Sequence, residues 1–247
     1  GAAVFAWDAR GNGRTEVERD DAESFTVYAR DADLFARHVS RTHGIPLREM
    51  AAVGHSVGAA ILATWVHDFA PPLKAMVLAT PAFRIRLYIP LAIPALRLAR
   101  ALDIMKTVPS YVKAKVLTHD PGEIERHTAD TLITHSISTR VLLDLYDTST
   151  RLIADAGAIR MPTLVLVAGS DWVVEKSAEH QFFSRLGSVV KKQEVLEGFY
   201  HDVYHEKDRH QPIAMTRQFL EDAWKLQPVE PPIDGDMHGY TKQEYEA

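Results

Sequence analysis

The chain has 247 residues, of which 46% are hydrophobic and 25% charged, with a net charge of −5. That length fits one α/β domain, alone or with an inserted subdomain, and the charge carries no nucleic-acid signature. The sequence holds no cysteine, which excludes disulfides, thiolate catalysis and cysteine-ligated metals; no apolar run reaches the length of a membrane span.

Residues 3–7, with Val4, Phe5 and Trp7, have the composition of a short buried parallel strand. Strand-like residues start at once, so the chain is expected to begin inside a domain, and the lack of a leader segment carries little weight. A glycine-bearing loop follows, Asp8-Ala9-Arg10-Gly11-Asn12-Gly13-Arg14-Thr15. Phe25, Tyr28, Ala29, Ala32, Phe35, Ala36 and Val39 recur at helical spacing, with Ser24 at the cap position and Gly44 at the stop. Ala51, Ala52 and Val53 then form an apolar run that enters Gly54-His55-Ser56-Val57-Gly58, and a mostly apolar helix from Ala59 to beyond Trp65 leaves it. Strand, G-x-S-x-G, helix is the setting of a nucleophile elbow. Ser56 must sit on a strained turn to project its hydroxyl, and Gly54 and Gly58 let strand and helix approach closely.

Pro71 and Pro72 break the chain before residues 75–79, another buried strand. From about 82 to 158 the pattern changes to short helical pieces, such as 95–102, punctuated by prolines at 90, 94 and 109, with no clear strand. This block reads as a helical cap inserted over a site. Residues 161–169 are the clearest strand and end at Ser170 and Asp171. A helix over 177–186, a strand over 189–196, the loop Glu197-Gly198-Phe199-Tyr200-His201 and an amphipathic helix over 213–226 complete the pattern. The expected organisation is a core of residues 1–81 and 159–226, a cap of 82–158, and a linker or tail of 227–247 rich in proline and glycine.

Alternating buried strands and helices imply a mostly parallel sheet covered on both faces, with function at the carboxyl ends of its strands. Ser56, Asp171 and His201 each lie just past an expected strand end. A serine hydroxyl needs a base to take its proton; histidine supplies it, and a carboxylate fixes the histidine tautomer. His205 is the rival base, and Glu175 the rival acid, while Asp8 precedes the nucleophile and suits its own loop. His201 and His205 as a metal pair would lack both the H-E-x-x-H pattern and a third ligand. The oxyanion hole needs two N–H donors, one of them from Val57. The second normally comes from a loop earlier than anything in this chain. Between Arg84 and Lys115 stand seven bases (Arg84, Arg86, Arg97, Arg100, Lys106, Lys113, Lys115) against one acid, Asp103, interleaved with apolar residues. That surface suits anionic amphiphiles or membrane headgroups, and it equally suits an ordinary solvated face.

These motifs resemble those of α/β-hydrolases. Asp8 to Thr15 resembles their D-x-R-G-x-G-x-S loop, Gly54 to Gly58 their elbow, and Gly169-Ser170-Asp171 and Gly198-Phe199-Tyr200-His201 their acid and base loops. The set is similar to the monoacylglycerol lipase and lysophospholipase group, also described as serine aminopeptidase-like. Ala63-Thr64-Trp65-Val66-His67-Asp68, Ser110-Tyr111-Val112-Lys113-Ala114-Lys115 and Gly169-Ser170-Asp171-Trp172-Val173-Val174 look closer to bacterial chains that fuse such a hydrolase ahead of a class I SAM-dependent methyltransferase. The family's N-terminal strands and His-Gly oxyanion loop have no counterpart in this sequence. The resemblance implies hydrolysis of lipid-like carboxylic esters, with Ser56 attacking, His201 as base and Asp171 orienting it. It implies no metal or organic cofactor, no nucleic-acid partner, and a cytoplasmic chain with possible peripheral membrane contact through the basic cap. The alternatives left open are a non-catalytic module that binds a lipid or supports a fused partner, and a peptidase acting on N-terminal residues.

Overall fold

The computed structural model describes residues 2–226 apart from 18, 20 and 111, so the expected tail lies outside the described residues. In chain order it gives α1 (Phe25–His43), β1 (Ala51–His55), α2 (Val57–Phe69), β2 (Ala75–Ala79), α3 (Ala92–Ala101), β3 (Thr107–Pro109) and α4 (Pro121–Ala129). Then come β4 (Ser136–Ser138), α5 (Thr139–Ala154), β5 (Thr163–Ala168), α6 (Lys176–Arg185), β6 (Lys191–Leu196) and α7 (His210–Lys225).

Four strands form one parallel sheet in the order β1-β2-β5-β6. Every residue of the two central strands, β2 and β5, is buried. That is why they read as unbroken apolar runs: a parallel strand covered on both faces has no polar side. The two-residue period of a strand splits its side chains between the faces. Met76, Leu78, Val165 and Val167 face a large core with α1, α2, α5 and α6, while Val77, Ala79, Leu164 and Leu166 face a smaller one with Phe219 and Leu220 of α7. The edge strand β6 is polar over Lys191–Glu194 and fully buries only Leu196, as a strand at the sheet's margin can.

Two expectations need correction. Residues 3–7 form no strand; Val4 is 89% exposed, and the segment instead lays Phe5 against His43 and Trp7 against Phe35, each at 4.7 Å between ring centroids. An extended segment becomes a strand only when its N–H and C=O groups find a ladder, and none of the four strands pairs with it. Second, the block after β2 does contain strands: β3 and β4 pair antiparallel. At three residues each they are too short for a readable period of two.

The same block is not uniform. α3 buries none of its residues. α5, at the other end, places Val141, Leu145, Leu152 and Ile153 in the large core beside Phe25 and Phe182. Among the described residues no helix is long and apolar enough to cross a membrane.

Candidate active site

All four strands of the main sheet deliver a side chain at their carboxyl ends: Ser56 after β1, Thr80 after β2, Asp171 after β5 and His201 after β6. Ser56 takes φ 54° and ψ −121°, a conformation that costs a non-glycine residue about 1–3 kcal/mol. Four backbone bonds hold it there: its N–H donates to the Ala79 carbonyl at 2.9 Å, and its carbonyl accepts from Ala59, Ala60 and Ala82 at 3.1, 3.2 and 3.0 Å. Gly54 makes the close approach of strand and helix possible, since a Cβ there would lie 2.7 Å from Cα of Ala59. Gly58 plays no such part; a Cβ there would meet nothing within 4 Å.

The three side chains foreseen at strand ends are in contact. His201 Nε2 lies 2.8 Å from Ser56 Oγ, and His201 Nδ1 lies 2.8 Å from Asp171 Oδ2. A carboxylate only accepts, so Nδ1 carries the ring proton and Nε2 is the lone-pair nitrogen facing the serine hydroxyl. The other oxygen of Asp171 accepts from the amides of Val173 and Val174 at 2.7 and 2.9 Å. Burial pushes the Asp171 carboxyl up. The His201 ring and those two amides outweigh it and hold the group below the usual carboxylate range. His201 and Asp171 are buried, at 2% and 6% exposure. Val57 opens α2, so its N–H belongs to the first helical turn, whose amides have no partner within the helix.

The rival residues lie elsewhere. His205 is exposed and pairs with Asp202 at 2.9 Å, apart from His201's partners. Glu175 is exposed ahead of α6. Asp8 caps its own loop by accepting from the Arg14 amide at 2.9 Å. No group of three or more His, Cys, Asp or Glu side chains among the described residues is arranged to hold a metal ion.

Several contributors have roles that the sequence does not disclose, His55 of the elbow among them. The His201 carbonyl accepts two bonds, from Thr80 Oγ1 at 3.0 Å and from His55 Nε2 at 3.1 Å. A carbonyl cannot donate, so His55 holds its proton on Nε2. Desolvation, and then the neighbouring His201, push His55 down to about 4, so it is neutral at pH 7. The start of the block after β2 is sewn to the acid loop. Arg86 N–H donates to Val173 O at 2.8 Å, Glu175 N–H to Arg84 O at 2.9 Å, and Tyr88 Oη to Trp172 O at 2.6 Å. Glu179 of α6 lies fully buried with both carboxyl oxygens unpartnered; burial first, and the charge of Asp171 second, push it well above the usual carboxylate range.

A strained serine on a strand-to-helix turn, linked through histidine to aspartate at one edge of a parallel sheet, is the arrangement of an α/β-hydrolase fold. The chain belongs to the serine aminopeptidase S33 family (Hydrolase_4), whose model matches residues 1–208. It is 42% identical over 218 residues to the uncharacterized protein YnbC of Escherichia coli (strain K12), covering 88% of this chain and 37% of that protein. The chain therefore spans well under half the length of that relative. It is 24% identical to the phospholipase YtpA of Bacillus subtilis (strain 168), covering 90% of this chain and 85% of YtpA. Among solved structures, a Paleococcus ferrophilus monoacylglycerol lipase superposes with a TM-score of 0.76 at 18% identity, covering 88% of this chain and 82% of that one, which fixes the fold.

Proposed function

We propose that the chain is a serine hydrolase that cleaves carboxylic esters of lipid-like substrates, of monoacylglycerol or lysophospholipid type, through an acyl-enzyme. The observation that carries this reading is the unbroken Ser56–His201–Asp171 chain, with both links at 2.8 Å. Ser56 Oγ attacks the ester carbonyl while His201 Nε2 takes its proton, and Asp171 stabilises the imidazolium. The Val57 N–H donates to the developing oxyanion. His201 then gives the proton to the leaving alkoxide; a water, deprotonated by the same nitrogen, releases the acid and restores the hydroxyl. No metal or organic cofactor is called for.

The lipid-like substrate is supported by the apolar character of residues near the nucleophile: Ala82, whose amide bonds the Ser56 carbonyl, lines a crevice of about 10 Å³ with Phe83, Ile85, Leu142, Leu145 and Tyr146, too small as it stands to hold an acyl chain. The names of YtpA and of the Paleococcus lipase point the same way. In this reading residues 82–158 cover the core as a cap, α5 being the part packed into it. Peripheral contact with anionic headgroups is supported by Tyr88, Ile89, Leu91, Leu98, Leu102 and Ile104, all at least 59% exposed, beside exposed Arg100 and Lys106. Arg84, Arg86 and Arg97 contribute less to such a face, because each is engaged within the chain.

A fluorophosphonate probe tests the reading. Label on the wild-type chain that vanishes in Ser56→Ala is expected; no Ser56-dependent label would mean a non-catalytic module. Acyl ester against aminoacyl-anilide turnover separates esterase from peptidase, and the basic face favours the ester. A class I SAM-dependent methyltransferase beside this hydrolase is supported by the motif resemblance and by the small share of YnbC that the match takes in. The full reading frame that encodes the chain decides that point.

A further inference from the structure

The peptide around His201 is pinned on every side, and one of the pins is a carboxylate with no part in the proposed chemistry. Glu206, 3% exposed, sits five residues past His201. Its Oε1 accepts from the Tyr200 amide at 2.9 Å, the peptide N–H immediately before His201, and from His119 Nδ1 at 2.8 Å. Its Oε2 accepts from the His119 amide at 3.0 Å, and more weakly from Thr118 Oγ1 and the Lys207 amide, both at 3.3 Å. His119 lies in the block inserted after β2, just before α4. One buried carboxylate thus joins the loop of His201 to a segment about 80 residues earlier in the chain.

The neighbouring contacts run across the same seam. The Asp202 amide donates to Leu117 O at 2.8 Å, Thr118 Oγ1 to His205 O at 2.8 Å, and the His119 ring lies on Tyr200 at 3.7 Å between centroids. Arg209 reaches Asp120 at 3.3 Å and Glu123 at 3.5 Å. Burial pushes the Glu206 carboxyl up, but the Tyr200 and His119 amides and the His119 ring overcome that and hold it below the usual range. It is therefore ionised at neutral pH, and each of its bonds is charge-assisted. A buried carboxylate with this many donors fixes the positions of what it touches, since losing it leaves buried N–H groups without a partner.

We propose that Glu206 is a positioning residue for His201: through the Tyr200 amide it sets where the imidazole stands against Ser56, and through His119 it ties that placement to the segment inserted after β2. The proposal rests on the serine-hydrolase reading for its kinetic test and on geometry alone for its spectroscopic one. A catalytic group displaced by about 1 Å loses about a hundredfold in rate, so a partial slackening of the loop is expected to cost about tenfold.

The test compares the full chain with Glu206→Gln, which keeps the volume and removes the charge. The Ser56-dependent rate of fluorophosphonate labelling is expected to fall about tenfold. In a His201→Ala background the same change is expected to alter the residual rate less than about twofold, because a residue that acts through His201 has nothing left to act on. The downfield proton of His201 Nδ1–H, observed by NMR, is expected to move or broaden. Should Glu206→Gln fail to fold, His119→Phe keeps the ring on Tyr200 and deletes the Nδ1–H donor; about threefold slower labelling is expected. Labelling within twofold of wild type in a folded variant, or equal losses in both backgrounds, overturns the proposal. If the wild type takes no Ser56-dependent label, the hydrolase reading fails by itself, and an unchanged His201 resonance in Glu206→Gln then overturns the positioning role separately.

Discussion

The rim of the sheet and the first part of the block inserted after β2 are built in opposite ways. At the rim Thr80, Asp171 and His201 are buried and Ser56 is half-buried, and their polar atoms are spoken for: Asp171 spends both oxygens and the His201 carbonyl takes two donors. In the insertion α3 buries nothing, and Leu91, Leu98, Leu102 and Ile104 stand in solvent. Chemistry that depends on placing three atoms needs the first kind of structure, because over-determined contacts hold a strained Ser56 in place. A surface that meets a loosely defined partner suits the second kind, where exposed apolar side chains flank exposed bases. The bonds that cross from the insertion to the rim loops, at Arg84, Arg86 and Tyr88 and again at Leu117, Thr118 and His119, are where one region can influence the other.

The largest contrast is expected in turnover. Asp171→Asn should lower ester turnover about ten-thousandfold through the wrong histidine tautomer and lower the melt as well, because the ionised carboxylate contributes stability at neutral pH, while Leu98→Ala in α3 should leave kcat unaltered. Ester hydrolysis by purified variants, with circular dichroism melts alongside, checks both. If Asp171→Asn costs less than tenfold, the rim is not the working site. Next comes stability. Phe182→Ala, in the packed core, should cost about 3–5 kcal/mol, whereas Leu102→Ser should stay within about 0.5 kcal/mol. Denaturant titration reads the difference, and similar losses would mean that α3 packs in solution. Smaller again is the effect on membranes. Arg100→Glu with Lys106→Glu should weaken binding to anionic vesicles, at about 1 kcal/mol for each base removed, and leave binding to neutral vesicles unchanged. Co-sedimentation that finds no loss on anionic vesicles removes the headgroup reading.

What the sequence discloses follows the same division. The buried strands at 75–79 and 163–168 announce themselves because both faces are covered and every residue must be apolar. Ser56 stands out because it sits in G-x-S-x-G between a strand and a helix, His201 because it ends the loop after the last strand, and Asp171 because it follows such a run. Thr80 follows one too, yet a threonine after a strand has no chemistry to flag it, and its bond to the His201 carbonyl joins residues 121 positions apart. Glu206 and His119 are separated by 87 positions, and neither belongs to a motif. The misread segment is instructive as well: residues 3–7 have strand composition, but strand formation is a property of a pair, and composition says nothing about the partner. The strands β3 and β4 fail for the reverse reason, with a partner but too little length to show a pattern.

Glu179 runs against the neat division, because it is a polar group left unpartnered on the well-packed side. It lies under the acid loop, fully buried, with no hydrogen bond to either oxygen, and it is held neutral by burial and by the charge of Asp171. In the unfolded chain it titrates near 4.5. Its folded value is higher, so the folded state binds the extra proton and stability falls as pH rises from the unfolded value towards the folded one. Glu179→Gln removes that dependence while keeping the shape. The variant should melt above wild type at pH 7, and the gain should vanish as pH falls below the unfolded value. Asp171 has the opposite sign: its folded value is depressed, so its contribution is present at neutral pH and is lost as pH falls through that value. A melting profile of Glu179→Gln that gains equally at pH 4 and pH 7 would show that the carboxyl is ionised or paired in the folded chain. Gain confined to the higher pH would instead make Glu179 a tolerated cost beneath the triad, and ester turnover at pH 7 should then be unchanged, because a neutral carboxyl and an amide present Asp171 with the same absence of charge.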